Sequence, residues 1–242
     1  MQYKFVILMM FIAAMAACDR SASKLSEPLM LVFGDKEEEV EPYQTRIIIT
    51  PEFMRFDDGE GATDFVLLNR IEKKIYSVVQ SNKTVTIIQS EDQDVKSPFD
   101  LKLSSKKIDD MQDAPSMEGI KPQHHVYMSG DQICFEVVTV PGFLPEYVQA
   151  MSEFNQILAN DGKLTLNNMP ADMQNGCSLA KTVFEPNRHL KDGFPVQLWG
   201  PDGTQSVLLD FKRNFEADKT LFEIPSSYES LNIMDIRAKF AK

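Results

Sequence analysis

The chain has 242 residues, of which 43% are hydrophobic and 10% aromatic, enough for one sizeable core with little material left for a second full domain. Its formal net charge is −11 at pH 7. That balance argues against gripping nucleic acid or a bare anionic membrane through a basic patch.

Residues 1–17 carry one cation, Lys4, followed by an apolar stretch from Phe5 to Met15 and then Ala16 and Ala17, the layout of a cleaved export signal. The stretch is too short to span a bilayer comfortably. The segment Met15-Ala16-Ala17-Cys18 resembles the lipobox of bacterial lipoproteins, with Met15 standing where leucine is usual. The resemblance implies that Cys18 becomes the first residue of the mature chain, with a diacylglycerol on its sulfur and a further acyl chain on its amine. The protein is then expected on the periplasmic side of a Gram-negative membrane. Acyl burial contributes about 0.8 kcal/mol per CH₂, so two or three chains anchor stably where one does not. The alternative is an ordinary secretory signal with Cys18 incidental. Asp19 resembles the retention signal that keeps lipoproteins in the inner membrane, and the outer membrane is the other possible destination.

Residues 18–41 read as an acidic tether, with Glu37, Glu38, Glu39 and Glu41 keeping it extended and hydrated. One apolar island interrupts it, Leu29-Met30-Leu31-Val32-Phe33, which is either part of the tether, a short edge strand or a patch that docks on the folded part. Residues 42–242 are expected to form a single domain.

That domain is organised around a β-meander. YQTRIII, EFMRFD, DFVLLN, KIYSVV and TVTIIQ are short runs rich in β-branched and aromatic residues, divided by turn-forming clusters. In the third run, Phe65 and Leu67 fall on one face and Val66 and Leu68 on the other, so this strand is expected to be covered on both sides. The succession ITPEFMRFDDG then FVLLNRIEKKIYSVVQSNKTVTII, with LFEIPSSYESLNIMDI near the C-terminus, resembles the LolA/LolB-like superfamily of periplasmic proteins. The resemblance implies an α+β fold: a curved antiparallel sheet, an open half-barrel, wrapped over one long and one or two short helices and enclosing an apolar cavity. Phe53, Phe56, Phe65, Leu67, Tyr76 and Trp199 are the candidate lining, as large apolar side chains on neighbouring strands.

Past a polar stretch, FDLKLSS is a possible strand, and QHHVYM and QICFEVVTV read as a hairpin. Pro145 fits the first turn of a helix whose apolar face comprises Leu144, Tyr147, Val148, Met151, Phe154, Ile157 and Leu158, stopping at Asn160-Asp161-Gly162. A short helix is expected near Cys177 to Phe184, then a hairpin of VQLWG and QSVLLDFKR, and LFEIP as a further strand. With Cys18 lipidated and the chain exported, Cys134 and Cys177 are expected to pair, a closure worth about 4 kcal/mol against the unfolded chain.

No CxxC, HExxH, GxSxG, Walker A or GxGxxG pattern occurs, and His124 and His125, adjacent on a strand, point to opposite faces. No catalytic set, metal site or cofactor is therefore expected. The expected function is that of a membrane-anchored, non-enzymatic lipoprotein that binds a lipid or other apolar ligand in its cavity or assists envelope assembly. The alternative is an interaction or scaffold protein with a filled interior, an envelope protein as its partner and no ligand.

Overall fold

A computed structural model of the protein describes residues 28–89, 91–109, 111, 113–166, 169, 174–233 and 236. Cys18 and Asp19 lie outside the described residues. In chain order the strands are β1 (Leu29–Lys36), β2 (Tyr43–Ile49), β3 (Phe53–Asp57), β4 (Phe65–Asn69), β5 (Lys74–Val79), β6 (Thr84–Ile88), β7 (Leu103–Asp109), β8 (Gln123–Ser129) and β9 (Gln132–Val140). Helices α1 (Pro145–Thr165) and α2 (Gly176–Leu179) follow, α2 running into a π-helical turn at Ala180–Phe184, and then a 3₁₀ turn at Arg188–Asp192. The remaining strands are β10 (Phe194–Trp199), β11 (Gln205–Lys212) and β12 (Glu229–Asn232).

All twelve strands join one sheet in the order β12-β6-β5-β4-β3-β2-β1-β11-β10-β9-β8-β7. Every neighbouring pair is antiparallel except β12, which runs parallel to β6, so the sheet is mixed. Helix α1 touches β6, β5 and β2 on one side and β10 on the other. Laid flat, the strands from β6 to β10 would span ~34 Å at the usual spacing, about three times the width of a helix. The sheet therefore curves around α1, and the class is α+β.

The core sits between them. Register places Leu31 opposite Ile47, Ile47 opposite Phe56, Met54 opposite Leu68 and Leu68 opposite Ile75, so one parity of each strand faces the helix. Helix side chains fill that face: Tyr147 lies 4.9 Å from Phe194 and 5.8 Å from Phe33 between ring centres, and Phe154 lies 4.8 Å from Phe56.

The far face of the meander is also covered. Ile48, Leu67, Val78 and Val85 are buried there, and the C-terminal segment crosses it, with Phe222 stacked on Phe53 at 5.4 Å and Leu221 O accepting a 2.6 Å hydrogen bond from Arg55 Nη1. Beside this contact Asp57 accepts from Arg46 at 2.7 Å and from Arg55 at 2.5 Å. Burial alone would raise the Asp57 carboxyl, and the two guanidiniums outweigh it and hold it below the ordinary carboxylate range.

Several sequence expectations are corrected. Residues 29–36, assigned to the tether, form β1 near the middle of the sheet, between β2 and β11; Leu29, Leu31 and Phe33 bury in the core, which no hydrated linker could do. Folded structure thus begins well before residue 42. Helix α1 does not stop at Gly162 but continues to Thr165, with Gly162 packed beside the π-helical turn, where an added Cβ would meet Val183 Cγ2 at 3.4 Å, an ordinary contact. LFEIP is not a strand; Asp218 caps a 3₁₀ turn at Lys219–Phe222, and the last strand is Glu229–Asn232.

Cys134 and Cys177 form a disulfide, with Cα atoms 5.0 Å apart and a separation of 43 positions in sequence. It joins β9 to the first turn of α2, where Gly176 packs so closely on Ser129 that an added Cβ would lie 2.0 Å from its Oγ.

Candidate functional site

The six side chains proposed to line one cavity do not meet. A strand alternates faces every residue, so Phe53 and Phe56, three apart on β3, point to opposite sides. Phe56 faces the helix, whereas Phe53, Phe65, Leu67 and Tyr76 lie on the far face, where Phe65 carries the Arg55 guanidinium 3.8 Å above its ring. Phe56 and Phe65 both border a shallow hollow of about 370 Å³ at the sheet's end, shared with Tyr43 and Val79. Trp199 is elsewhere, at the end of β10, with its ring 5.3 Å from that of His124, which is itself hydrogen-bonded to Glu136 at 2.7 Å. His125 turns the other way and its Nδ1 stands 3.9 Å from Asp192. The apolar concavity expected from the sequence is occupied by Tyr147, Phe154 and their neighbours on α1.

Open space is found instead where the helix meets the strand ends. Two clefts, of about 450 and 770 Å³, flank the turn after β4 and share Arg70 as a wall. Arg70 is fixed from both sides. Its backbone N–H donates to Glu52 O at 2.9 Å and its Nη1 to Thr50 O at 2.9 Å. Its Nε and Nη2 reach Glu153 on α1 at 2.6 and 3.0 Å, a two-pronged pair that divides the clefts. Burial pushes the Glu153 carboxyl up, but the hydrogen bonds and charge of Arg70, with help from Gln149 and Lys73, hold it below its usual range.

In the smaller cleft, Glu146 in the first turn of α1 has a buried Oε2 with no hydrogen-bond partner among the described residues. Gln149, Asn214, Thr50 and Arg213 surround it, and Arg213 is paired with Glu118 at 3.0 Å. The chain reaches Glu146 through Leu144, a buried residue in the left-handed conformation at φ 42° that turns β9 into α1. The larger cleft has Leu68 and Ile157 at its floor and Glu72, Lys73, Asp92 and Gln156 among its walls; Lys163 bonds Asp92 at 2.6 Å and ties the loop after β6 to the helix.

Both clefts suit recognition by hydrogen bonding and charge. Among the described residues no set of three or more His, Cys, Asp or Glu side chains could hold a metal ion, and no helix is long and apolar enough to cross a membrane. Arg70 and Glu153 were not singled out from the sequence. They are 83 residues apart, and the one local hint is Gln149 and Glu153, spaced four apart along a polar edge of the helix.

No family model matches the chain, and no curated protein does. Among solved structures it is similar to an uncharacterized conserved protein from Thermus thermophilus, at 12% identity and TM-score 0.42, covering 86% of this chain and 91% of that one. It is also similar to PNGF-II in two crystal forms, at 10% and 9% identity and TM-scores 0.41 and 0.40, with 90% of this chain covered in each case. The chain spans 33% and 34% of those PNGF-II chains, and similarity at this level carries no conclusion about function.

Proposed function

We propose that this is an exported, lipid-anchored, non-enzymatic recognition protein, in which a LolA/LolB-like half-barrel is filled by its own helix and the divided cleft at its mouth reads a polar ligand or a segment of an envelope partner. The supporting observation is the occupied concavity: Tyr147, Phe154 and Phe143 from the α1 region take the place an acyl chain would need. A second reading, an apolar-ligand carrier of the LolA/LolB kind, keeps support from the Leu68 and Ile157 floor of the larger cleft, whose volume of about 770 Å³ falls in the range of ligand pockets.

The two readings separate in one experiment. Protein purified natively is extracted for bound lipid by mass spectrometry and titrated with a fluorescent fatty acid, while a photo-crosslinker at Gln156 maps neighbours in cells. Recognition requires a discrete crosslinked partner and no saturable fatty-acid uptake; saturable uptake with co-purified lipid replaces it with the carrier reading. Anchoring is checked separately by the mass of the mature chain, which in Cys18→Ser should lose the acyl increment. Asp19→Ser should shift membrane fractionation if Asp19 sets inner-membrane retention.

A further inference from the structure

A second polar hollow lies away from the clefts, on the helix-bearing side of the sheet at its β7–β8 end. It is an open hollow of about 350 Å³ bordered by Ser104 and Ser105 of β7, Tyr127 of β8, Glu185, and Arg188, Lys191 and Asp192 of the 3₁₀ turn. Arg188 is the anomaly. It is 9% exposed, and it donates one hydrogen bond, from Nη1 to Met128 O at 3.2 Å. Its Nη2 is buried without a hydrogen-bond partner, and no carboxylate pairs with it among the described residues. Its guanidinium rests over Tyr127 and Phe135, 4.9 and 5.5 Å from their ring centres.

A buried cation without a counter-charge is costly unless something supplies one. The nearby carboxylates are already committed: Tyr127 OH donates to Asp192, and Lys191 holds Glu185 at 3.2 Å. Burial pulls the Arg188 guanidinium below its usual value, opposed by Tyr127 and Glu185, yet an arginine does not shed its proton in a protein. What Nη2 lacks is a hydrogen-bond acceptor, and against a buried guanidinium a charged oxygen is the strongest one.

We infer that this hollow is a binding site for a small molecule bearing one carboxylate, which Arg188 receives with Lys191 and with Ser105, which lies opposite Tyr127 across the β7–β8 pair, beside it. The volume is near the lower end for ligand pockets, which favours a ligand of few atoms. Asp192 and Glu185 stand in the same wall, so a doubly charged phosphate is disfavoured, while a ligand with an ammonium group beside its carboxylate would meet both signs of charge. The exposed Lys191–Glu185 pair, with side chains 70% and 47% exposed, marks the entrance.

The test titrates the full chain in detergent with sodium acetate, glycine and sodium phosphate, ionic strength being held constant with chloride, and follows thermal midpoints and heats of binding. Acetate or glycine should raise the midpoint saturably, and phosphate should do no more than chloride. Arg188→Lys should weaken carboxylate binding by about tenfold, since one ammonium cannot both hold the Met128 carbonyl and present a second, planar N–H group to the ligand. Arg188 also packs on two rings, so Lys191→Met provides the independent variant: it should leave the unliganded midpoint unchanged and weaken binding by a few fold. The inference is overturned by midpoints identical in acetate, glycine and chloride, by phosphate binding more tightly than either carboxylate, or by carboxylate binding unaltered in both variants.

Discussion

The two ends of the sheet are stabilised by different means. From β6 to β2 the meander is sandwiched: α1 covers one face through Met54, Leu68 and Ile75, while Ile48, Leu67, Val78 and Val85 are buried on the other. Past β10, from β9 to β7, the helix is left behind, and a smaller cluster of Tyr127, Phe135 and Val137 is completed by the disulfide, by Arg188 over two rings and by His189 edge-on to Phe135 at 5.7 Å. Where a sheet has a helix to wrap, apolar burial suffices. Where it runs past the helix, a covalent staple and charged side chains laid on aromatic rings take over.

That contrast can be broken most forcefully at the staple. Replacing Cys134 and Cys177 together by alanine should destabilise the protein by about 4 kcal/mol in the loop-entropy account, read as a lower urea midpoint. Hydrogen exchange should rise first in β8 and β9 and leave β2–β5 protected; uniform loss would show that the sheet unfolds as one unit. On the opposite side, Met54→Ala empties a fully buried site and should cost about 3 kcal/mol, with exchange rising first in β2–β4.

Acid should separate the regions without mutation. Burial, reinforced by Lys181 and Arg188, lowers His189 to about 4 from its usual 6.5, so between those values the unfolded chain binds a proton that the folded chain refuses. Stability should fall as pH drops through that window, by on the order of 2 kcal/mol after discounting for the ring's partial exposure. His189→Gln should flatten the urea-midpoint profile there. Asp57 has the depressed carboxyl, so its contribution is fully present above the ordinary carboxylate value near ~4 and is lost only as pH falls below it. The disulfide-linked region should therefore loosen at milder acidity than the meander. The smallest effect is expected at the cleft: Glu153→Gln, with its partly exposed carboxylate, should cost about 1 kcal/mol or less while diminishing any crosslink at Gln156.

Sequence made the meander legible because alternation is local: Tyr43–Ile49 and Lys74–Val79 coincide with the runs that announced them. The disulfide between Cys134 and Cys177 agrees with the pairing expected once Cys18 is set aside. What local pattern cannot carry is partnership across distance. The island at Leu29–Phe33 resembles a linker patch until β11, from the far end of the chain, pairs with it. The six cavity residues were grouped by size and strand rather than by parity, although the three-residue spacing of Phe53 and Phe56 already excludes a common face. Arg70 and Glu153 meet only because the helix returns over the meander, and the unpaired state of Arg188 is a property of its surroundings that no spacing encodes.

The seat of β1 between β2 and β11 also fixes an order of assembly. Met30 pairs with both Ile48 and Lys212, so one side of this strand can zip as soon as the first hairpin emerges, while the other must wait until nearly the whole polypeptide has been made. During that interval a row of unsatisfied amides and carbonyls, flanked by Leu29, Leu31 and Phe33, stands open to any passing extended segment. A chaperone that shields nascent chains would find its most useful foothold there.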